Sequence, residues 1–158
     1  MASEEVLYVE GGQALHGEAV VQGSKNAALP MIAASLLATE GQTVLRRVPP
    51  VKDVLVALQV LRELGARVEY DAEDGVAVID ATGDISHRLP EDLSSRFRAS
   101  VLFVGPLLSR FRRAWIREVG GCTIGSRPTD YHYRGFARLG AEVQGIVGGG
   151  FDVVAYTL

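Results

Sequence analysis

Laid on itself at an offset of 71 residues, the sequence places Ala28, Ile32, Leu36 and Leu37 on Ala99, Phe103, Leu107 and Leu108. Val44, Leu45 and Val48 then fall on Trp115, Ile116 and Val119 at the same offset. Further on the offset is 75, with Leu61, Leu64, Gly65, Ala66 and Val68 on Phe136, Leu139, Gly140, Ala141 and Val143. A self-match of this period means one supersecondary unit used twice. The second copy holds four extra residues between Val119 and Phe136, within a stretch that contains Gly120 through Pro128. Chemistry is to be sought where the copy departs from its template.

Each copy reads in the same order. An apolar helix comes first, Ala27 to Leu37 and then Ala99 to Ser109, with apolar residues three and four apart. A short strand follows, Thr43 to Val48 and Ala114 to Val119. The second helix, Lys52 to Leu64 and Thr129 to Leu139, is closed by Gly-Ala at the C′ position, with Asp53 and Asp130 near the favourable positive end of the dipole. Strands Arg67 to Tyr70 with Val76 to Ile79, and Glu142 to Ile146 with Asp152 to Tyr156, complete the units as hairpins. Helices supplied to one face of a sheet predict an α+β fold. Residues 1–23 lie outside the repeat and read as two leader strands, Val6 to Val9 and Gly17 to Gln22. Such units bury their faces against each other, and about three are normal for stability. Two copies and an unpaired leader therefore imply more protein.

The composition, 47% hydrophobic with near-average charge, suits a buried core and excludes disorder. No apolar run is long enough to span a bilayer, and the acidic start Met1-Ala2-Ser3-Glu4-Glu5 has no secretory h-region. A single cysteine makes no internal disulfide, so a reducing cytoplasm is the simplest compartment. The net charge of −3 divides unevenly: residues 1–95 hold 15 acids and 7 bases, residues 96–158 hold 4 acids and 9 bases. A basic second half attracts anions, although a solvated basic face is the commoner cause of such a bias.

Four features stand out from the scaffold. Gly23-Ser24-Lys25-Asn26 precedes the first helix, and Lys25 is one of two lysines beside 14 arginines. A lysine there opposes the helix dipole, which argues for an anion site; the plain alternative is a solvated lysine next to a Ser or Asn cap. The loop Gly120-Gly121-Cys122-Thr123-Ile124-Gly125-Ser126-Arg127-Pro128 is free to fold over a ligand, and Arg127 can hold a carboxylate or phosphate by two bonds. Cys122 is either an acid or nucleophile tuned by basic neighbours or a small buried hydrophobe. Arg96 and Arg98 open the second copy's first helix, again favouring an anion. Arg112, Arg113 and Trp115 interleave as in single-strand nucleic-acid binders, but the alternation equally fits a strand leaving a turn, and no nucleic acid is expected. His16, His87 and His132 have no metal-ligand spacing with Cys122.

The segments Gly23 to Pro30, Arg98-Ala99-Ser100, and Gly120 through Pro128 followed by Asp130 resemble the UDP-N-acetylglucosamine 1-carboxyvinyltransferase family, from about Val9 to the C-terminus. The sibling family making enolpyruvyl-shikimate phosphate shares the fold but not the cysteine loop. The resemblance implies βαβαββ-type units of the enolpyruvyl transferase, or inside-out α/β barrel, fold. It implies that residues 1–23 are leader strands of the other, C-terminal domain, and that 24–158 form two of three units of one domain, about 24–85 and 92–158. It implies transfer of the enolpyruvyl group of phosphoenolpyruvate to the 3-hydroxyl of UDP-N-acetylglucosamine with release of phosphate, the first committed step of peptidoglycan synthesis, in the cytoplasm, with no metal or organic cofactor and no membrane partner.

Carried over residue by residue, Lys25 and Arg127 bind phosphoenolpyruvate, and Cys122 is the loop acid and the target of fosfomycin. Asn26 and Arg98 hold the sugar and the tetrahedral intermediate. Pro128, Asp130 and Tyr131 lie along the uridine diphosphate, with Tyr131 standing where relatives carry an aliphatic residue. The aspartate that serves as base for the sugar hydroxyl is expected outside this chain, so partners include the remainder of the enzyme or a second copy. The alternative is a non-catalytic piece that binds nucleotide-sugar or anions.

Overall fold

The computed structural model describes residues 6–95, 98–117 and 129–156. In the first unit α1, Lys25–Ala34, passes into a 3-10 turn at Ser35–Leu37, then β1, Thr43–Leu45, α2, Lys52–Glu63, β2, Arg67–Asp71, and β3, Val76–Asp80. The link carries one helical turn, α3, Glu91–Ser94. The second unit opens with a 3-10 helix, Arg98–Phe103, that continues as α4, Val104–Phe111; β4, Arg113–Ile116, α5, Asp130–Arg138, β5, Ala141–Gly145, and β6, Phe151–Ala155, follow.

Each unit closes a three-stranded antiparallel sheet with its last strand in the middle, β1-β3-β2 and β4-β6-β5. The registers correspond: Thr43 and Val68 both face Ile79, as Ala114 and Val143 both face Val153. Asp71 faces Val76 across four residues, whereas Ile146 donates to the Gly150 carbonyl across three, so the second hairpin is one residue tighter. Alternation puts Ala77 and Ile79, and in the second sheet Ala114, Ile116 and Val153, into the core, while Arg113 and Glu142 face water.

The helices follow from the apolar spacing. α2 buries Val54, Ala57, Leu58 and Leu61 on one face. It ends in a Schellman turn: Ala66 N–H bonds the Leu61 carbonyl at 2.9 Å and Gly65 N–H the Arg62 carbonyl at 3.0 Å. Gly65 sits at φ +108°, and a Cβ there would stand 2.4 Å from the Asp84 carbonyl oxygen, so only glycine fits. Gly140, at φ +97°, follows α5 likewise, its N–H on the Ala137 carbonyl at 3.1 Å.

Three expectations change. Residues 6–22 form no strand; they are exposed, because a strand exists only by pairing and none of the described residues pairs with them. The first helix of the second unit starts as a 3-10 helix, with Pro106 inside the first turn of α4, where its missing N–H is tolerated. The first strand stops at Leu45, since Arg47 turns to φ +57°. The end of the corresponding strand and the inserted loop lie outside the described residues.

One continuous core runs through both units and contains Ile32 and Leu36 with Phe103 and Leu107. α1 packs on α2 and on the 3-10 helix Arg98–Phe103, and the turn Ser35–Leu37 packs on α4. Across this seam Arg110 Nη1 donates to the Leu36 and Ala81 carbonyls, both at 2.8 Å. Asp80, at the end of β3, accepts from the Thr82 hydroxyl and amide and from Arg67, and these bonds hold its carboxyl well below the usual range. The link also adds to the second sheet: Trp115 N–H bonds the His87 carbonyl at 3.0 Å and Leu89 N–H returns to the Trp115 carbonyl at 2.9 Å, a parallel rung on β4. Tyr133 of α5 is buried against Phe151, ring centroids 3.9 Å apart. Among the described residues its hydroxyl has no partner, and burial pushes the phenol up to about 12. Among the described residues no helix is long and apolar enough to cross a membrane.

Three stability effects are expected. Arg110→Met removes charge-assisted bonds to two carbonyls and lowers stability by about 2 kcal/mol, read as a fall in the urea midpoint. Tyr133→Phe removes an unsatisfied hydroxyl and raises stability by about 1 kcal/mol in the same measurement. Asp80 has a depressed folded value, so its contribution is present above its unfolded value of about 4 and is lost as pH falls through the folded one. Asp80→Asn therefore flattens the loss of stability below about pH 4 in acid titrations followed by circular dichroism.

Candidate functional site

Helix α1 starts at Ser24, whose hydroxyl accepts from Ala27 N–H at 3.4 Å and whose carbonyl takes the Ala27 and Ala28 amides. The segment before it is fixed by Gly23: a Cβ there would stand 1.5 Å from the Arg47 carbonyl oxygen, so the chain passes against the turn that leads into α2. α2 starts at Val51, which has no side chain able to cap; its carbonyl takes the Val54 and Leu55 amides at 3.0 and 3.1 Å. Two packed helices thus present their N-termini beside each other, each with orphan amides and the positive end of a dipole.

Lys25 and Lys52, the only lysines of the chain, occupy the first positions of α1 and α2. Lys25 Nζ bridges the helix starts to Asp53 Oδ2 at 2.9 Å, with both side chains partly open to water, 46% and 38% exposed. Asn26, one residue on, is exposed, and Pro30 has no N–H to give its carbonyl the usual helical bond. Beside these starts lies a cavity of about 530 Å³ lined by Val21, Gln22, Gly23, Arg47, Pro50 and Glu73, among others. That cavity carries Glu73 and Asp74 beside Arg47 and is lined by neither lysine; it is the helix starts themselves, with the positive ends of two dipoles and Lys25 and Lys52 against Asp53, that favour an anion.

The structure brings Lys25 and Asn26 together with Lys52 and Asp53, two residues that the sequence reading did not assign to the site. The scarcity of lysine was the available signal for Lys52; the Lys25–Asp53 contact spans 28 positions and was not legible locally. Arg98 opens the 3-10 helix that packs on α1 and is half-buried and engaged. Asp130 and Tyr131 stand at the start of α5 in the second unit, which packs on β5. Asp130 Oδ2 pairs with Arg134 at 3.2 Å, its Oδ1 is buried without a partner among the described residues, and the Arg134 guanidinium lies 5.7 Å from the centre of the largely exposed Tyr131 ring. Cys122, Arg127 and Pro128 lie outside the described residues. Among the described residues no group of three His, Cys, Asp or Glu side chains could hold a metal ion.

Comparison with known proteins places this geometry. The family model described as EPSP synthase (3-phosphoshikimate 1-carboxyvinyltransferase) matches residues 9–155. A protein of Thermobifida fusca named UDP-N-acetylglucosamine 1-carboxyvinyltransferase is 56% identical over 144 residues, 89% of this chain and 33% of its own length. One of the same name from Myxococcus xanthus is 46% identical over 138 residues, covering 87% of this chain and 33% of that protein. The chain thus spans about a third of the length of the curated relatives it matches. Among solved structures, the enolpyruvyl transferase NikO from Streptomyces tendae superposes with a TM-score of 0.77 at 25% identity, over 94% of this chain and 32% of that one. EPSP synthase from Acinetobacter baumannii gives 0.65 at 21% identity, over 92% and 33%, which speaks for the fold alone. With the repeated α+β units in the same register and a family model matched along nearly its whole length, the chain belongs to the EPSP synthase family of enolpyruvyl transferases.

Proposed function

We propose that the chain is part of an enzyme that transfers the enolpyruvyl group of phosphoenolpyruvate to the 3-hydroxyl of UDP-N-acetylglucosamine, releasing phosphate. The observation that carries the reading is the contact of Lys25 with Asp53 across two helix N-termini, each of which opens on a lysine, in a chain 56% identical to a protein bearing that enzyme's name. On this reading the work is cytoplasmic and opens peptidoglycan synthesis. Residues 1–23 belong with the C-terminal domain of the whole protein, residues 24–158 are two of three units, and the base for the sugar hydroxyl is outside this chain.

The chemistry follows from the charges. The sugar oxygen adds to the central carbon of the enol while a proton goes to its methylene carbon; loss of phosphate and of a methyl proton then restores the double bond. Both substrates are anionic, and the tetrahedral intermediate keeps the phosphate and carboxylate charges, so placed cations lower every barrier. Lys25 and Arg127 hold the phosphoenolpyruvate, with Lys52 adding its charge at the adjacent helix start. Cys122 delivers the proton from its loop. Asn26 and Arg98 hold the sugar and the intermediate, and Pro128, Asp130 and Tyr131 lie along the uridine diphosphate. No cofactor enters, because addition and elimination at an activated enol need only acid–base and electrostatic help.

Intact-mass measurement after incubation with fosfomycin tests this. A single adduct on Cys122 is expected, formed faster with UDP-N-acetylglucosamine present, lost in Cys122→Ser and slowed about tenfold or more in Lys25→Gln. An adduct that survives Cys122→Ser, or that forms no faster with UDP-N-acetylglucosamine, would sink the reading; no adduct under either condition would mean that this chain alone does not assemble the cleft.

A further inference from the structure

The second copy departs from the first at two places, and one side chain joins them. The first departure is the insertion, Gly120 through Pro128, which carries Cys122 and follows Arg117 in the chain. The second is the hairpin between β5 and β6, one residue tighter than its counterpart and turning through Gly148, Gly149 and Gly150 at φ +88°, +91° and +112°. Arg117 stands directly after β4. Its Nη1 donates to the Val147 carbonyl at 3.1 Å and to the Gly149 carbonyl at 3.4 Å, and its Nε to Glu91 Oε2 at 2.9 Å. The glycines make room for it: a Cβ on Gly148 would stand 2.8 Å from Arg117 Nη1, and one on Gly150 2.7 Å from Arg117 Cα. In the first copy the residue at the same place, Arg46, is exposed, and the hairpin is held from within, Asp71 Oδ1 accepting from the Glu73 and Asp74 amides at 2.9 and 3.1 Å.

The scaffold therefore closes a hairpin of this kind without an arginine, and it uses one only in the copy that carries the insertion. From this juxtaposition we propose that Arg117 is a positioning residue: it pins the strand end from which the cysteine loop departs to the glycine hairpin on one side and to α3 on the other. α3 leads into the 3-10 helix that Arg98 opens, so one guanidinium ties together the roots of two segments to which the reaction is assigned. The proposal rests on the reading of the loop as the carrier of the reactive cysteine. Most of the hold lies in the two carbonyls, because a guanidinium bond to a carbonyl is charge-assisted and directional. The Glu91 carboxylate is 57% exposed, and a pair so open to water is weak by itself. Lysine at 117 would keep the charge but lose the fork, and methionine would lose both.

Cys122 is the only cysteine, so a nitroxide attached through its sulfur reports on that loop alone. The spectrum of the label is compared among variants whose circular dichroism shows them folded. Arg117→Met is expected to shorten the rotational correlation time of the label about twofold or more, because a loop held less firmly at its root moves more freely on the nanosecond scale. Arg117→Lys is expected to free the label by a smaller amount. Arg113→Met serves as the control: it breaks the ion pair with Asp152 on the same strand, with the same change of charge, and is expected to leave the spectrum as it is. A residue that only stabilised the fold would lower the urea midpoint without freeing the label in the folded chain. If neither Arg117 variant frees the label, or if Arg113→Met frees it equally, the positioning role is wrong. If the label answers as stated while a fosfomycin adduct survives Cys122→Ser, the anchor stands and the functional reading falls.

Discussion

A single guanidinium binds the two halves of this chain. Arg110 reaches out of the second unit and takes the carbonyls of Leu36 and Ala81, which end the first helical segment and the last strand of the first unit. Leu36 and Ala81 are both buried, so their carbonyls need a donor from within the protein, and Arg110 supplies it. Asp80 grips the same strand end from the other side, through Thr82 and Arg67. The apolar layer of Ile32, Leu36, Phe103 and Leu107 is nondirectional and would tolerate sliding. The polar grip at its edge is directional, and it fixes how one copy sits on the other.

That fixed seam is what gives the helix starts their geometry. α1 is wedged between α2 and the 3-10 helix of the second unit, so its N-terminus cannot turn away from that of α2. Gly23 against the Arg47 carbonyl sets the approach of the chain, with Arg47 itself in the left-handed region, an uncommon place for a side-chain-bearing residue. The local strain at Arg47 and the bare backbone at Gly23 are thus two sides of one close contact. Lys25 reaches Asp53 because the backbones beneath them bring the two helix starts together.

Much of the fold was legible because it is periodic. The repeat placed both sheets, both hairpins and the glycines that end α2 and α5, since a left-handed C′ residue after an apolar helix has few other readings. The leader, read as strands, pairs with none of the described residues, because alternation describes one face of a ribbon and says nothing about whether a neighbour in the same chain exists to pair with it. The sequence did not reveal the parallel rung between His87, Leu89 and Trp115, which depends on the link passing the free edge of β4. Of the site, Lys25 and Asn26 could be named because helix-start chemistry is local. Asp53 was visible only as a dipole partner for its own helix; its bond to Lys25 exists only once two helices have packed. Tyr133 was assigned no part by the sequence reading, and nothing in its neighbours announced a buried hydroxyl without a partner among the described residues.

The ends of the helices are treated unequally, and the inequality bears on function. At the C-termini of α2 and α5 the last carbonyls are closed by glycine turns. At the N-termini the capping is thin: the Ser24 bond is long at 3.4 Å, and Val51 and Thr129 make no side-chain cap bond at all. A fold selected only for stability would place Asp, Ser or Asn where Val51 stands, because capping is worth roughly 1 kcal/mol for one side-chain change. It would also keep lysine away from the first turn. Both rules are broken together at adjacent helix starts. Orphan amides left open at these helix starts gain nothing from the chain beyond the exposed Lys25–Asp53 pair, but they do stabilise an anion placed among them. On the proposed reading, the stability forgone at these helix starts is recovered when phosphoenolpyruvate binds.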